Sequence, residues 1–272
     1  MADSPGTLRL QDLAEKVRSG DCRPCQGALK VGVDPGTANI ALVVLDEEDN
    51  PVAGISHPSR AVKDGVVVDF LTASRVISGL KATLEERLNR TLTHAATAIP
   101  PGILPGNTKV IINMVEAAGF EVTEIVDEPV AAARALNIRG GAVVDVGGGT
   151  TGISILREGD VIFSADEPTG GNHMTLVLAG ALGISFAEAE EMKKAPEHEE
   201  QVFAIVRPVA EKMVHLVAGW LAHYPAEVIY LVGGASSFYQ FADVFRQTTG
   251  KQVIQAAHPL LVTPLCIAMH SH

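Results

Sequence analysis

Two segments of this sequence set an aspartate at the end of a β-branched run and follow it at once with a glycine turn. The first, VGVDPGTANIALVVLD, spans residues 31–46, and the second, VVDVGGGTTGISILREG, spans 143–159. Glycine admits positive φ and lets backbone N–H groups approach an anion with no Cβ in the way. Two such turns facing one another would clasp a polyphosphate from both sides. The acids, Asp34 and Asp145, would repel that phosphate unless a cation lay between them. Mg²⁺ suits the place, because it keeps several waters and takes one or two carboxylates plus phosphate oxygens. A third acid, Glu128, stands where the strand-like run EVTEIVDEP stops at Pro129. A carboxylate there can orient or deprotonate the attacking water in phosphoryl transfer. Plainer accounts stand beside these. A hairpin alone explains the first turn, whereas Gly147, Gly148 and Gly149 exceed what a hairpin needs. Any one acid beside a turn can be merely solvated or a cap; three at strand ends before turns form a pattern.

Other glycine signatures are missing. No G-x-x-x-x-G-K-[ST] is present, and no G-x-G-x-x-G opens a helix, so neither a Walker-type loop nor a dinucleotide fingerprint is supported. A third glycine site, Gly233-Gly234-Ala235-Ser236, follows a buried strand and is expected to open a helix, a geometry that suits a flat ligand or phosphate near the backbone. Glu190 and Lys193 lie at i and i+3 of a predicted helix over 186–194 and point the same way; pattern alone favours a surface ion pair. Cys22 and Cys25 form a C-x-x-C, for which a redox or half-zinc site is the sharper reading; without a second pair, no functional site is the plainer one.

The elements that carry these residues repeat. Each aspartate–glycine segment is a strand, a tight turn, a second strand and an acidic turn into a third, so an internal duplication is predicted. Helices are expected at 7–18, 72–92, 107–118, 131–138 and, with breaks, over 173–224; a last helix is expected in TPLCIAMH. The chain has 272 residues, enough for about two domains, and only 8 Phe, 3 Tyr and 1 Trp, so its core must be aliphatic. A net charge of −11 argues against a broad nucleic-acid or anionic-membrane footprint. No stretch approaches a membrane span, residues 1–28 lack an apolar signal region, and three cysteines fit a reducing cytosol.

Five segments in order resemble the motifs of the actin/Hsp70/sugar-kinase superfamily. GVDPGTANI (32–40) looks like its phosphate-1 motif, DEPVAAARAL (127–136) like connect-1 and VVDVGGGTTGISIL (143–156) like phosphate-2. IYLVGGASSF (229–238) looks like the adenosine motif, and HPLLVTPLCIAMH (258–270) like connect-2. TGGNHMTLVLAGALGISFAEAEEMKK (169–194) is similar to the MreB/FtsA branch, and segments such as VKDGVVVDF and THAATAIPPG are similar to ethanolamine-utilisation proteins.

The resemblance implies an α/β, duplicated actin-like (ribonuclease H-like) ATPase fold, with two domains around a nucleotide cleft and reduced outer subdomains. The implied borders are an N-terminal extension and linker over 1–29, one domain of 30–140 plus 258–272, and a second of 141–257. ATP or ADP with Mg²⁺ is the implied cofactor. Gly36, Thr37, Ala38 and Asn39 would meet the phosphates from one side, and Gly147, Gly148, Gly149, Thr150 and Thr151 from the other. Asp34 and Asp145 would hold the hydrated metal and Glu128 the lytic water. Glu190 and Lys193 would flank ribose and adenine, with Gly233, Gly234 and Ser236 opposite, and Gly171 of the Gly-Gly turn is counted with the cofactor-binding residues. The phosphate lysine of Hsp70 proteins has no counterpart here; Lys63 is the nearest basic residue and matches no motif. The implied role is a cytoplasmic, chaperone-like accessory protein of ethanolamine utilisation, acting on ethanolamine ammonia-lyase or on microcompartment assembly. A non-hydrolysing, filament-forming scaffold is the second reading and a small-molecule kinase the third.

Overall fold

The computed structural model describes residues 5–63 and 65–272. The first four residues of the expected extension, and Asp64 at the head of the apolar run 64–70, lie outside the described residues. A first helix, α1 (Pro5–Ser19), leads to three antiparallel strands, β1 (Lys30–Pro35), β2 (Asn39–Leu45) and β3 (Pro51–Pro58). A small hairpin, β4 (Val62–Lys63) with β5 (Val66–Val67), precedes α2 (Phe70–Leu88), β6 (His94–Ile99), α3 (Pro105–Ala117), β7 (Glu121–Asp127) and α4 (Glu128–Ala135). The plan then repeats with β8 (Gly141–Val146), β9 (Thr151–Arg157) and β10 (Asp160–Glu167). Next come α5 (Gly171–Leu182), α6 (Phe186–Lys194), α7 (Glu199–His223), β11 (Val228–Val232), α8 (Phe241–Thr249), β12 (Gln252–Gln255) and α9 (Pro259–Met269).

The two five-stranded sheets have the same design. Their orders are β3-β2-β1-β6-β7 and β10-β9-β8-β11-β12, each a three-stranded antiparallel meander extended by two parallel strands. The duplication read from the two aspartate–glycine segments is therefore present strand for strand. Side chains alternate across each strand, and both faces of both sheets are covered. In the first sheet, Val31, Val33, Leu42 and Val44 pack outward under α2 and α3, while Val43, Leu45, Ala96 and Ala98 pack inward. In the second, Ala142, Val144 and Val146 pack outward under α5, α7 and α8, while Val143 packs inward. A middle layer of α1, α4 and α9 lies between the sheets.

α9 sits directly on β1: a Cβ at Gly32 would overlap the backbone of Ala268. Glycine is needed here for close approach of two backbones, not for a turn. Three sequence expectations shift. The predicted helix over 131–138 begins at Glu128, so this acid opens a helix instead of ending a strand; Pro129 is tolerated because first-turn N–H groups have no intrahelical acceptor. The helix predicted over 72–92 stops at Leu88, where Asn89 takes the left-handed conformation that closes it. The third glycine site opens only a single 3₁₀ turn at 234–237, and α8 starts at Phe241.

The N-terminal helix is built into the core. Leu10 and Leu13 of α1 are 1% and 0% exposed, and a Cβ on Gly54 of β3 would lie 2.7 Å from Leu13 and Val17 side-chain carbons. Cys22 and Cys25, in the loop that follows, pack against the outer core of the first sheet, and Arg90 donates to the Cys25 carbonyl at 3.2 Å. Leu13→Ala is expected to lower the unfolding free energy by about 2–5 kcal/mol, measured by urea denaturation. A loss under about 1 kcal/mol would mark α1 as an appendage.

Candidate functional site

Alternation decides where the acids go. Val33 and Val144 face outward, so Asp34 and Asp145, the next residues, face the middle layer from opposite sheets. Between them opens a cavity of about 560 Å³, lined by both glycine turns, by Glu128, and by residues of α6 and α9. That volume suits a small-molecule ligand.

The turns are close-built. A Cβ on Gly36 would fall 2.7 Å from the Asn39 carbonyl oxygen, and one on Gly148 2.7 Å from the Ala38 Cβ, so the two turns touch across the cleft. The second turn is fastened by its own carbonyls: Gly171 N–H donates to Gly147 O at 2.9 Å and Asn172 N–H to Gly148 O at 2.7 Å. Among the described residues, no backbone acceptor takes the N–H of Thr37, Ala38, Gly148 or Gly149. Backbone donors of this kind, at the lip of a cavity, make an anion nest.

Three carboxyls share the floor. Burial and then the charge of Asp145 push Asp34 up to about 7. Burial raises Glu128 well above its usual value, reinforced by Asp145, Asp34, Asp166 and Asp127. Burial also raises Asp145, against a hydrogen bond from Thr263 Oγ1 to Oδ2 at 2.7 Å that lowers it. Like charges in a poorly solvated place cannot all ionise without compensation. Among the described residues no three His, Cys, Asp or Glu side chains form a direct metal-ligating group. Asp34 and Asp145, two carboxyls lining one cavity, fit a cation that retains waters and touches one or two carboxylates, the habit of Mg²⁺.

Farther along the cavity, Glu190 and Lys193 pair at 2.7 Å, 16% and 12% exposed. This is no solvated surface pair. Thr175 Oγ1 bonds Glu190 Oε2 at 2.6 Å, and Lys193 Nζ donates to Thr175 Oγ1 at 2.7 Å and to Gly171 O at 3.1 Å. Burial opposes ionisation of Glu190, yet Lys193 and the hydrogen bonds hold it below its usual value. Burial draws Lys193 down, partly offset by Glu190. Gly233, at φ 85°, leaves no room for a side chain, because a Cβ there would overlap Asp145 Oδ1.

Of the residues named from sequence, two lie outside the lining. Thr151 is fully buried and its Oγ1 donates to Thr169 O at 2.6 Å. Ser236 is fully buried and its Oγ bonds Val232 O and Gly233 O at 3.1 and 2.8 Å. Both hydroxyls are turned inward to satisfy backbone carbonyls, and Ser237 and Phe238 line the cavity in place of Ser236. Asp34, Gly36, Thr37, Ala38, Asn39, Glu128, Asp145, Gly147, Gly148, Gly149, Thr150, Gly171, Glu190, Lys193, Gly233 and Gly234 all line it. Sequence reasoning missed Thr175 and Thr263, which belong to no glycine turn and carry no acid or base.

The chain is 41% identical to the ethanolamine utilization protein EutJ of Escherichia coli K12 over 244 residues, 89% of this chain and 86% of that one. The crystal structure of EutJ from Carboxydothermus hydrogenoformans superposes with a TM-score of 0.92 at 45% identity, covering 97% of each chain. The chain belongs to the EutJ family. Residues 55–182 match the MreB/Mbl protein family and residues 142–264 the cell division protein FtsA family. MreB 5 of Spiroplasma citri bound to AMPPNP has the same fold at 17% identity, with a TM-score of 0.69 over 89% of this chain and 95% of that one. This EutJ-family chain is thus an actin-like ATPase fold with its cavity at the meeting of the two sheets. Among the described residues, no helix is long and apolar enough to cross a membrane.

The acid cluster has a measurable cost in the free EutJ-family protein. An acid whose folded pKa is raised binds a proton in the folded state where the unfolded chain has released it. Stability therefore falls as pH rises from the ordinary aspartate value of 3.8 to about 7, and the loss is complete above that. Asp34→Asn is expected to stabilise the nucleotide-free protein by about 2–4 kcal/mol at pH 8 and by little near pH 4. Denaturant unfolding at the two pH values checks this; an equal effect at both would show that Asp34 is not perturbed.

Proposed function

We propose that this EutJ-family protein binds ATP and ADP with Mg²⁺ in the cleft and serves ethanolamine utilisation as a chaperone-like accessory protein. Its clients would be ethanolamine ammonia-lyase or the components of a microcompartment. The observation that carries the reading is the facing pair of glycine turns, with Asp34 and Asp145 turned toward one another beneath them. Gly36 to Asn39 and Gly147 to Thr150 would surround the phosphates, with the backbone N–H groups of Thr37, Ala38, Gly148 and Gly149 donating to their oxygens; that of Gly147 closes its own turn on Thr150 O at 3.0 Å. Glu190 and Lys193, locked by Thr175, would set the ribose, with Gly233 and Gly234 across from them. Mg²⁺ would neutralise the phosphate oxygens and relieve the repulsion between the carboxylates. Glu128, held at the first turn of α4, would orient a water, and turnover at such a site is expected to be slow.

Support for an accessory role comes from the family, whose members are named for ethanolamine utilisation. The small-molecule kinase reading ranks third: among the described residues, the cavity wall beyond the phosphate turns includes the apolar Val62, Pro100 and Ile111, and an acceptor hydroxyl needs a base beside it.

Titration calorimetry is expected to give one Mg²⁺-dependent ATP site per chain, and Gly148→Val is expected to weaken it at least about tenfold, since each 1.4 kcal/mol is a factor of ten. Wild-type protein that binds no ATP at millimolar Mg²⁺ would end the nucleotide reading. Phosphate release stimulated by ethanolamine ammonia-lyase or shell proteins supports the chaperone-like role. ATP-dependent sedimentation without hydrolysis would favour a scaffold in its place.

A further inference from the structure

The helix α9 is tied to both sheets, by different means. Its C-terminal half lies against the backbone of β1, with Ala268 where a side chain on Gly32 would be. Asp34 stands two residues beyond Gly32 on the same face of the same strand. α9 and Asp34 therefore move as one body. The N-terminal half of α9 makes two hydrogen bonds to strand ends of the other sheet. Gly233 N–H donates to Pro259 O at 2.9 Å, and Thr263 Oγ1 donates to Asp145 Oδ2 at 2.7 Å. Pro259 and Thr263 are i and i+4, so both bonds leave one side of the helix. Their partners are coupled as well: Val232, which precedes Gly233, pairs with Asp145 across β11 and β8.

Asp145 is held on two sides. The Thr263 hydroxyl takes Oδ2, and the bare Cα of Gly233 backs Oδ1 so closely that no side chain fits between them. Both Asp145 and Thr263 are 7% exposed. A buried hydroxyl bonded to a carboxylate fixes the rotamer of that carboxylate and favours its charged form. The hydroxyl comes from the body that carries Asp34.

We propose that Thr263 is a positioning residue: its hydroxyl latches α9 to Asp145 across the cleft and holds that carboxylate where a hydrated Mg²⁺ on bound nucleotide can reach both aspartates. This deepens the nucleotide reading of the cleft and rests on it. Opening of the cleft breaks the bond and frees Asp145 to turn away, so the metal side of the site is complete only when the two sheets are closed on α9. The Thr263 hydroxyl acts through Asp145, to which it is bonded.

The test uses the full chain with Thr263→Val, which keeps the shape and removes the hydroxyl, and Thr263→Ser, which keeps the hydroxyl. ATP binding is titrated against Mg²⁺, and thermal unfolding of the nucleotide-free proteins is recorded alongside. Thr263→Val is expected to raise the Mg²⁺ concentration for half-maximal tight binding by about tenfold, the worth of a hydrogen bond to a charged group. Binding in excess chelator stays as in wild type, and Thr263→Ser restores the Mg²⁺ midpoint to within about twofold. An unchanged Mg²⁺ midpoint in Thr263→Val overturns the latch and leaves the nucleotide reading standing, even where the melting temperature falls, since that is a purely structural effect. Thr263→Ser behaving like Thr263→Val overturns it too. Wild-type protein without Mg²⁺-dependent ATP binding overturns the cleft reading and the latch together.

Discussion

In a strand, a residue two positions from one that touches the middle helices touches them as well. Gly32 touches α9, so Asp34 must also point at that layer; Val143 packs inward from the second sheet, so Asp145 must do the same. The two sheets share one strand order, and their equivalent strand ends meet around the same helices. Two carboxylates are thereby brought face to face in a place with little water. Everything else at the site answers that repulsion: the backbone N–H groups of the turns, the hydroxyl of Thr263, and the proton that Asp34 retains up to about pH 7.

The glycines divide according to what approaches them. Gly148 and Gly36 keep the two turns tight, while Gly32 and Gly233 admit a helix backbone and a carboxylate oxygen. Gly36, Gly148 and Gly233 announce themselves in the sequence as glycine turns; Gly32 does not. Gly32 sits inside a β-branched run and reads as an ordinary strand residue until α9, more than 220 positions later, is found lying on it. A glycine inside a strand that marks a close backbone approach is a known pattern, but the approaching partner is not written locally.

Much of the site was legible because its chemistry is local. Each aspartate, its turn and the strand after it lie within a dozen residues, and the duplication doubles the signal. What escaped is non-local or directional. Thr263 and Asp145 are 118 residues apart in the chain, and a threonine in an apolar helix gives no hint that it serves an acid in another sheet. Ser236 and Ser237 are chemically equivalent in the sequence; the 3₁₀ turn sends the first into the core and the second to the cavity. The ion pair of Glu190 and Lys193 had the right spacing, but its burial comes from α5 and Thr175 packing over it. α1 reads as part of an N-terminal extension, yet its leucines fill the middle layer, where Leu13 and Val17 cover Gly54 of β3.

An acidic protein that holds a polyanion cannot rely on a positive surface. With a net charge of −11, long-range attraction would work against the nucleotide of the proposed function, and its binding would have to come from contacts made only inside the cleft. Backbone N–H groups suit this, since they offer partial positive charge with no counter-charge to desolvate. On the nucleotide reading, the carboxyls would make the ligand conditional on its cation, because a phosphate chain arriving alone would meet Asp34, Asp145 and Glu128; burial raises all three, and neighbouring carboxylates add to it for Asp34 and Glu128. Selection for the cation-bound form would then need no dedicated metal cage, only acids held at fixed positions on the two sheets. α9 supplies that fixity: seated on the first sheet and hydrogen-bonded to the second, it links the strand that carries Asp34 to the carboxylate of Asp145.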